Sequence, residues 1–313
     1  LHETQSSFAI ERESPSDSKA RRFVRALERA HLAEPLSESM LTDLQNDVVS
    51  NPYDQAFAVR SEQNWLSNGL RGVAGVSYIP PPPPLAAELL EELLRFANQH
   101  HADVDPIALA TSLSFGFVNI HPFMDGNGRV SRFLFHKALC MSGAIPTGML
   151  LPVSVAIARH EKKYLETLQR YSATTRKYWD VSWADASDFD FSFTGNEAVY
   201  RYWDATEAME FCLEMSEHAL EVALKSELKF LRLYDAVMKE IAIDWDVRQP
   251  TLAHLTRMCL SHDGTLSKRR RDQFRGQVPD GIFEAIEAAC KKHSLEPDAA
   301  APPPGKRRRV RPR

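Results

Sequence analysis

The stretch His121-Pro122-Phe123-Met124-Asp125-Gly126-Asn127-Gly128-Arg129-Val130-Ser131-Arg132 places a base candidate, a metal-ligand candidate, two glycines and two arginines within twelve residues. An apolar segment enters it from either side. His121 titrates near neutral pH, so its neutral imidazole can take a proton from an incoming hydroxyl. Asp125 is a hard oxygen ligand of the kind Mg2+ accepts beside substrate phosphates. Gly126 and Gly128 lack the Cβ that would keep the backbone off a ligand, so successive N–H groups can converge on an anion, and Asn127 between them offers its amide. The run from Gly128 reads as a helix closed by Gly143, which sets the loop at a helix N-terminus where the dipole favours phosphate. Arg129 and Arg132 share a face of its first turn and can fork onto phosphate oxygens. A lone histidine is more often a satisfied core residue, and Asp-Gly-Asn-Gly more often an ordinary turn. The assembled pattern outweighs both readings.

These residues also match the signature of the Fic family, His-x-Phe-x-Asp/Glu-Gly-Asn-Gly-Arg-x-x-Arg, without departure. With eight defined positions, a chance match is on the order of one in ten billion per start site. The resemblance implies a nucleotidyltransferase that moves AMP from ATP to a Ser, Thr or Tyr hydroxyl of a target protein. It makes His121 the base, Asp125 the Mg2+ ligand and Asn127 a contact to the α- and β-phosphates. Gly126 and Gly128 would supply backbone amides, Arg132 would grip the γ-phosphate, and Arg129 would support the phosphate site. Near the start of the chain, Ser7-x-x-x-Glu11 resembles the family's inhibitory motif, Ser/Thr-x-x-x-Glu-Gly/Asn, placed N-terminal to the core as in class II. By that resemblance Glu11 reaches Arg132 and competes with the γ-phosphate, with Ser7 as its companion. The sequence departs from the motif at Arg12, where Gly or Asn is expected.

Composition bounds the class. The 313 residues, 43% of them hydrophobic, can bury a real core. A net charge of -4 argues against a whole-protein affinity for nucleic acid or anionic membrane, so any such affinity is local. Cys140, Cys212, Cys259 and Cys290 stand far apart with no CxxC pair, which suggests neither a zinc site nor a disulfide framework and favours a reducing, cytoplasmic setting. No apolar run reaches a membrane span, and no signal segment opens the chain. Leu1 falls inside what reads as an ongoing helix, so we expect native sequence before it.

Working outward, Phe23, Val24, Leu27 and Ala30 follow helical spacing, as do Met40, Leu41, Leu44 and Val48, with Ser37 as N-cap between them. Glycines at 69, 72 and 75 suggest a hairpin. In the Fic resemblance this is the flap, with Gly72, Val73, Ala74 and Gly75 registering the target segment by strand addition. Pro80 to Pro84 start the next helix, whose stripe runs Leu85, Leu89, Leu90, Leu93, Leu94 and Ala97. The segment 106–120 is apolar almost all round, as a central bundle helix is, and would hold His121 on a rigid support.

After Gly143 one helix is expected to about Ser172, with Ile157, Tyr164, Leu165 and Leu168 facing in. Tyr164 is the adenine-pocket candidate under the resemblance, although an aromatic at helical spacing is more often core. Residues 178–193 read as a loop without periodicity, and 196–243 as one long helix carrying Met209, Leu213, Leu220, Leu224, Leu228 and Leu231. Shorter helices follow at 252–260, 266–274 and 280–292. The run Ser267-Lys-Arg-Arg-Arg271 reads first as a solvated face and second as a helix-turn-helix DNA contact. Residues 299–313 are low-complexity and basic, hence expected to be disordered.

The sequence therefore predicts an all-α, Fic-type helical core with a small β-hairpin flap and an α-helical C-terminal region. The expected division is 1–175 for the core with its inhibitory segment, 176–298 for a helical accessory region, and 299–313 for the tail. The expected activity is an adenylyltransferase using ATP and Mg2+ on a target protein, held low by Glu11, with self-modification and a homodimer left open. The alternatives are another donor or the reverse, de-AMPylating reaction, or a non-catalytic regulator that contacts DNA or a partner.

Overall fold

The computed structural model describes residues 2–49, 55–183, 189–279 and 281–295, so the basic tail at 299–313 lies outside the described residues. The chain separates into two compact units, residues 1–224 and 225–313.

In the first unit the helices are α1 (His2–Ile10), α2 (Asp17–Arg29), α3 (Glu38–Val48), α4 (Pro83–His100), α5 (Pro106–Ile120), α6 (Asn127–Met141), α7 (Val153–Arg159), α8 (Glu161–Thr175), α9 (Ala198–Arg201) and α10 (Thr206–His218). α5 is the central element. Asp105 caps it, its Oδ1 accepting from Ile107 N–H at 2.9 Å and Ala108 N–H at 3.1 Å, and Pro106 occupies the first turn, where a missing N–H costs nothing. Leu109, Ala110, Leu113 and Phe117 are fully buried on one face of the helix, and Thr111 and Phe115 are buried on the opposite one. Each large apolar chain so buried contributes roughly 1.5–3 kcal/mol. Gly116 admits α4 closely, since a Cβ there would lie 3.3 Å from Leu93. α6 packs along α5 through Val130, Phe133, Leu134 and Ala138. The two helices leave the catalytic-type loop strung between them.

The flap hairpin is present as β1 (Leu66–Ser67) and β2 (Val76–Tyr78), antiparallel with Leu66 opposite Tyr78 and a bulge beside it. Residues Val73–Gly75 form a 3-10 turn, not the extended segment expected for strand addition. The turn is closed by Gly75 N–H to Gly72 O at 2.8 Å, and Leu70 O would lie 2.1 Å from any Cβ on Gly75.

Three sequence expectations are corrected. The helix expected to Ser172 is two, α7 and α8, broken at His160 (φ -120, ψ 32), and Leu165 is 51% exposed. Residues 178–193 contain a second hairpin, β3 (Trp179–Trp183) paired with β4 (Phe189–Phe193). Its alternation was present in Trp-Asp-Val-Ser-Trp and Phe-Asp-Phe-Ser-Phe. Trp179, Phe189 and their neighbours pack on Val76 and Ile79 behind the flap, with Asp180, Ser182, Asp190 and Ser192 outward. The long helix of 196–243 is interrupted at 202–205 and by a π segment at 219–223 before α11 (Leu224–Asp244). Leu213, Leu220, Leu228 and Leu231 are each about half exposed, so the stripe expected to face inward does not; the π segment changes the pitch only after Leu213.

α10 buries Phe211, Cys212 and Met215 in the same core as α5. The compact units accordingly divide at 224, beyond the expected boundary of 175. The second unit contains most of α11, then α12 (Gln249–Leu260), α13 (Lys268–Phe274) and α14 (Ile282–Leu295) around Leu252, Leu255, Cys259, Ile282 and Ile286. Among the described residues no helix is long and apolar enough to cross a membrane.

Candidate active site

His121 ends α5 in the left-handed region (φ 51, ψ 57), a conformation few non-glycine residues adopt. The loop is held in it by bonds from outside. Arg60 donates through Nε to His121 O at 2.9 Å and through Nη2 to Pro81 O at 2.6 Å, while Asn64 Nδ2 donates to Phe123 O at 2.9 Å. Tyr78 donates its hydroxyl to Asn119 O, just before the loop. The ring of His121 is 8% exposed and its Nδ1 lies 3.1 Å from Val118 O. A carbonyl only accepts, so Nδ1 carries the hydrogen and Nε2 presents the lone pair. Burial lowers the imidazole's pKa from 6.5 to about 4, against the opposing pull of the Val118 carbonyl. It is therefore neutral at pH 7.

The glycine loop follows. Gly126 is left-handed (φ 83), with Val49 3.1 Å from where its Cβ would stand. Asn127 spends its side chain on the loop itself: Oδ1 accepts from Phe123 N–H at 3.0 Å and Nδ2 donates to Phe123 O at 2.7 Å. It is 2% exposed, so in this arrangement its side chain positions the turn, where the sequence reading had it donate to phosphates. Asp125 stands at the mouth, its side chain 39% exposed, with Arg129 Nη2 3.2 and 3.3 Å from its two oxygens. Arg129 is 1% exposed, bonded also to Glu13 at 2.8 Å and Val48 O at 2.9 Å, with its guanidinium over the Phe8 ring. Arg129 is thus a structural cation beneath Asp125.

Arg132, 2% exposed, is enclosed by α1 and the residues after it. Its Nη1 is 2.9 Å from Glu11 Oε1, Nε donates to Ser7 Oγ at 2.8 Å and Nη2 donates to Ser7 O at 2.7 Å. The Glu11 carboxylate lies where a side chain on Gly128 would be, 2.1 Å from the ideal Cβ. The pair joined by sequence resemblance across more than a hundred residues is therefore in direct contact.

Arg12 explains how the motif tolerates its departure. It adopts φ 58 itself, with Arg12 N–H on Ala9 O at 2.8 Å and Glu13 N–H on Phe8 O at 3.1 Å, the paired bonds of a Schellman ending. Arg12→Gly is expected to raise unfolding stability by about 0.5–1 kcal/mol, because glycine takes this conformation without Cβ strain. Urea unfolding checks it; a lower midpoint would show that the Arg12 side chain supplies more than its backbone costs.

Tyr164, expected at an adenine pocket, is 6% exposed inside the core, stacked on Phe211 at 5.7 Å and edge-on to Phe115 at 6.2 Å. The cavity it lines beneath Arg132 is about 10 Å³, too small for a base. The sequence reading missed the other end of the α1 contact. Glu3, 8% exposed, takes His136 Nε2 at 2.9 Å, Ser154 N–H at 2.9 Å and Ser154 Oγ at 2.5 Å. A signal existed: Glu3, Ser7 and Glu11 recur every four residues, as do Gly128, Arg132 and His136, which is the pattern of two helices pairing antiparallel along polar faces.

A family model described as the Fic/DOC family matches residues 35–139. Proteins named protein adenylyltransferase Fic from Drosophila sechellia and Drosophila melanogaster are each 39% identical over 70 residues, 22% of this chain and 14% of theirs. The matched portion is thus a small part of those relatives' length. A Fic family protein from Desulfovibrio desulfuricans shares the fold, with TM-score 0.51 and 19% identity over 88% of this chain and 76% of that one. The loop, the helices that carry it and the model match agree: residues 35–139 of this chain belong to the Fic/DOC family.

Proposed function

We propose that the protein transfers AMP from ATP to a Ser, Thr or Tyr hydroxyl of a target protein, and that Glu11 holds this activity low. The observation that carries the reading is the neutral, oriented His121 beside a glycine loop whose second arginine is already gripped by a carboxylate. The target hydroxyl gives its proton to His121 Nε2 as its oxygen forms a bond to the α-phosphorus. The bond from that phosphorus to the bridging oxygen breaks, and pyrophosphate leaves. Displacement of this kind asks mainly for alignment and charge neutralisation. The amides at the start of α6 face the phosphates, and Arg132 takes the γ-phosphate once Glu11 withdraws.

The donor set fits Mg2+. Asp125 is a half-exposed carboxylate at the loop's mouth, and among the described residues no cluster of three or more His, Cys, Asp or Glu could cage a metal alone. Mg2+ is commonly held by one or two carboxylates with substrate phosphates completing the sphere. Asp125 would hold it, and when bound it would neutralise phosphate charge. Four unpaired cysteines suit a reducing, cytoplasmic setting.

The test is transfer of label from α-labelled ATP, with γ-labelled ATP as the control, into a cell lysate. Label from the α-position alone supports the reading; label from the γ-position alone would make this a kinase-type transfer and overturn it. A pH profile tests the base. His121 is lowered to about 4, so the neutral form persists as pH falls and is lost only near that value. Transfer at pH 5.5 is expected within about twofold of that at pH 7.5, where a histidine near 6.5 would lose about tenfold. A midpoint near 6.5 would remove the burial argument.

A further inference from the structure

The second unit carries a basic face that the transfer chemistry does not use. α12 and α14 pack with the end of α11, and α13 follows α12 through a turn in which Asp263 (φ 50) and Gly264 (φ 74) are both left-handed. α13 is fastened by one side. Arg271 ion-pairs with Glu287 at 2.7 Å and with Glu284, donates to Leu266 O at 3.3 Å and lies over the Phe283 ring, while Phe274 packs on the core. With Arg271 and Phe274 turned inward, helical periodicity puts Arg269 and Gln273 on the opposite side, one turn apart, and Lys268 and Arg270 on its flanks. Lys268, Arg269, Arg270 and Gln273 are exposed, and so is Asp272, which shares that face and is paired with Arg275 at 3.2 Å.

We propose that this unit docks on duplex DNA through α13, with Arg269 and Gln273 toward base edges of the major groove and Lys268 and Arg270 on flanking phosphates. Three observations converge. A helix held across the turn from its predecessor, outer face free, is the frame in which helix-turn-helix proteins present a reading helix. Arg and Gln are the residue types whose forks match guanine and adenine edges. Charge is concentrated locally: residues 225–298 hold 13 Lys and Arg against 12 Asp and Glu, yet Lys268, Arg269, Arg270 and Arg271 stand consecutively on α13. A merely solvated basic face usually finds acids nearby. Here Arg271 and Arg275 do, the latter with Asp272 at 3.2 Å, whereas Lys268, Arg269 and Arg270 have no acidic partner among the described residues.

Fluorescence anisotropy of a labelled 30-base-pair duplex of random sequence, titrated with the full chain between 50 and 200 mM KCl, tests this. Binding is expected at 50 mM KCl with a dissociation constant on the order of micromolar, as non-specific contacts give. The combined variant Lys268→Gln, Arg269→Gln, Arg270→Gln is expected to weaken binding at least about tenfold and to flatten the log–log salt slope by about 2 to 3. Its circular dichroism and its AMP transfer should be unchanged, so failure here and failure of the transferase reading are told apart. A second variant replaces Lys306, Arg307, Arg308 and Arg309 with Gln and is expected to bind nearly as wild type. Absence of binding at 50 mM KCl, an unchanged triple variant, loss of binding through the 306–309 variant alone, or tighter binding to single-stranded RNA of equal length would each overturn the proposal.

Discussion

His121→Ala in a Glu11→Gly background is expected to lower AMP transfer by about 100- to 10,000-fold, the range in which a positioned general base contributes. ATP affinity measured by calorimetry should stay within about twofold, because Nε2 of His121 faces the acceptor hydroxyl in this reading and not the phosphates. Alanine is strained at φ 51, so His121→Asn, which tolerates the left-handed backbone, serves as the second variant. Equal loss in both, with unaltered ATP binding, assigns the role to the imidazole. Transfer at the starting rate in either variant would mean that another group takes the proton.

The Glu11→Gly change is itself expected to raise labelling by about 10- to 150-fold at ATP below saturation. That range corresponds to about 1.4–3 kcal/mol for one close ion pair between the buried Arg132 guanidinium and the partly exposed Glu11 carboxylate. Removal of the carboxylate leaves Arg132 with Ser7 alone on α1, so the guanidinium keeps its orientation while its Nη1 side opens toward phosphate. Calorimetric ATP affinity should rise in step with the rate. A faster rate at unchanged affinity would locate the brake in acceptor access; no change in either would remove Glu11 from regulation.

The loop was legible because its chemistry is local. His121 to Arg132 carry their meaning in spacing, and the two flanking helices announce themselves by apolar pattern and caps. What escaped depends on tertiary partners. Nothing around Tyr164 distinguishes a core aromatic from a pocket aromatic; only its contact with Phe115 and Phe211 decides. Asn127 has the residue type of a phosphate contact, yet its side chain closes on Phe123, four residues back. The β3–β4 hairpin is hidden for a different reason: its two runs alternate with period two, but five residues of acidic and small character separate them and blur the period over the stretch as a whole. The breaks at His160 and 219–223 carry no proline or glycine, so propensity alone does not mark them.

The two ends of the α1–α6 contact are mechanically unequal. At one end Glu3 is buried among three donors; at the other, Glu11 is about a third exposed and immediately precedes a non-glycine residue held in the left-handed region. α1 is therefore a latch with a hard pivot and a soft tip. On the proposed reading ATP has only to lift the tip, while the pivot returns it after each turnover. The outcome is a throttle, with basal output set by how often the tip lifts, and the strain at Arg12 becomes the idle adjustment.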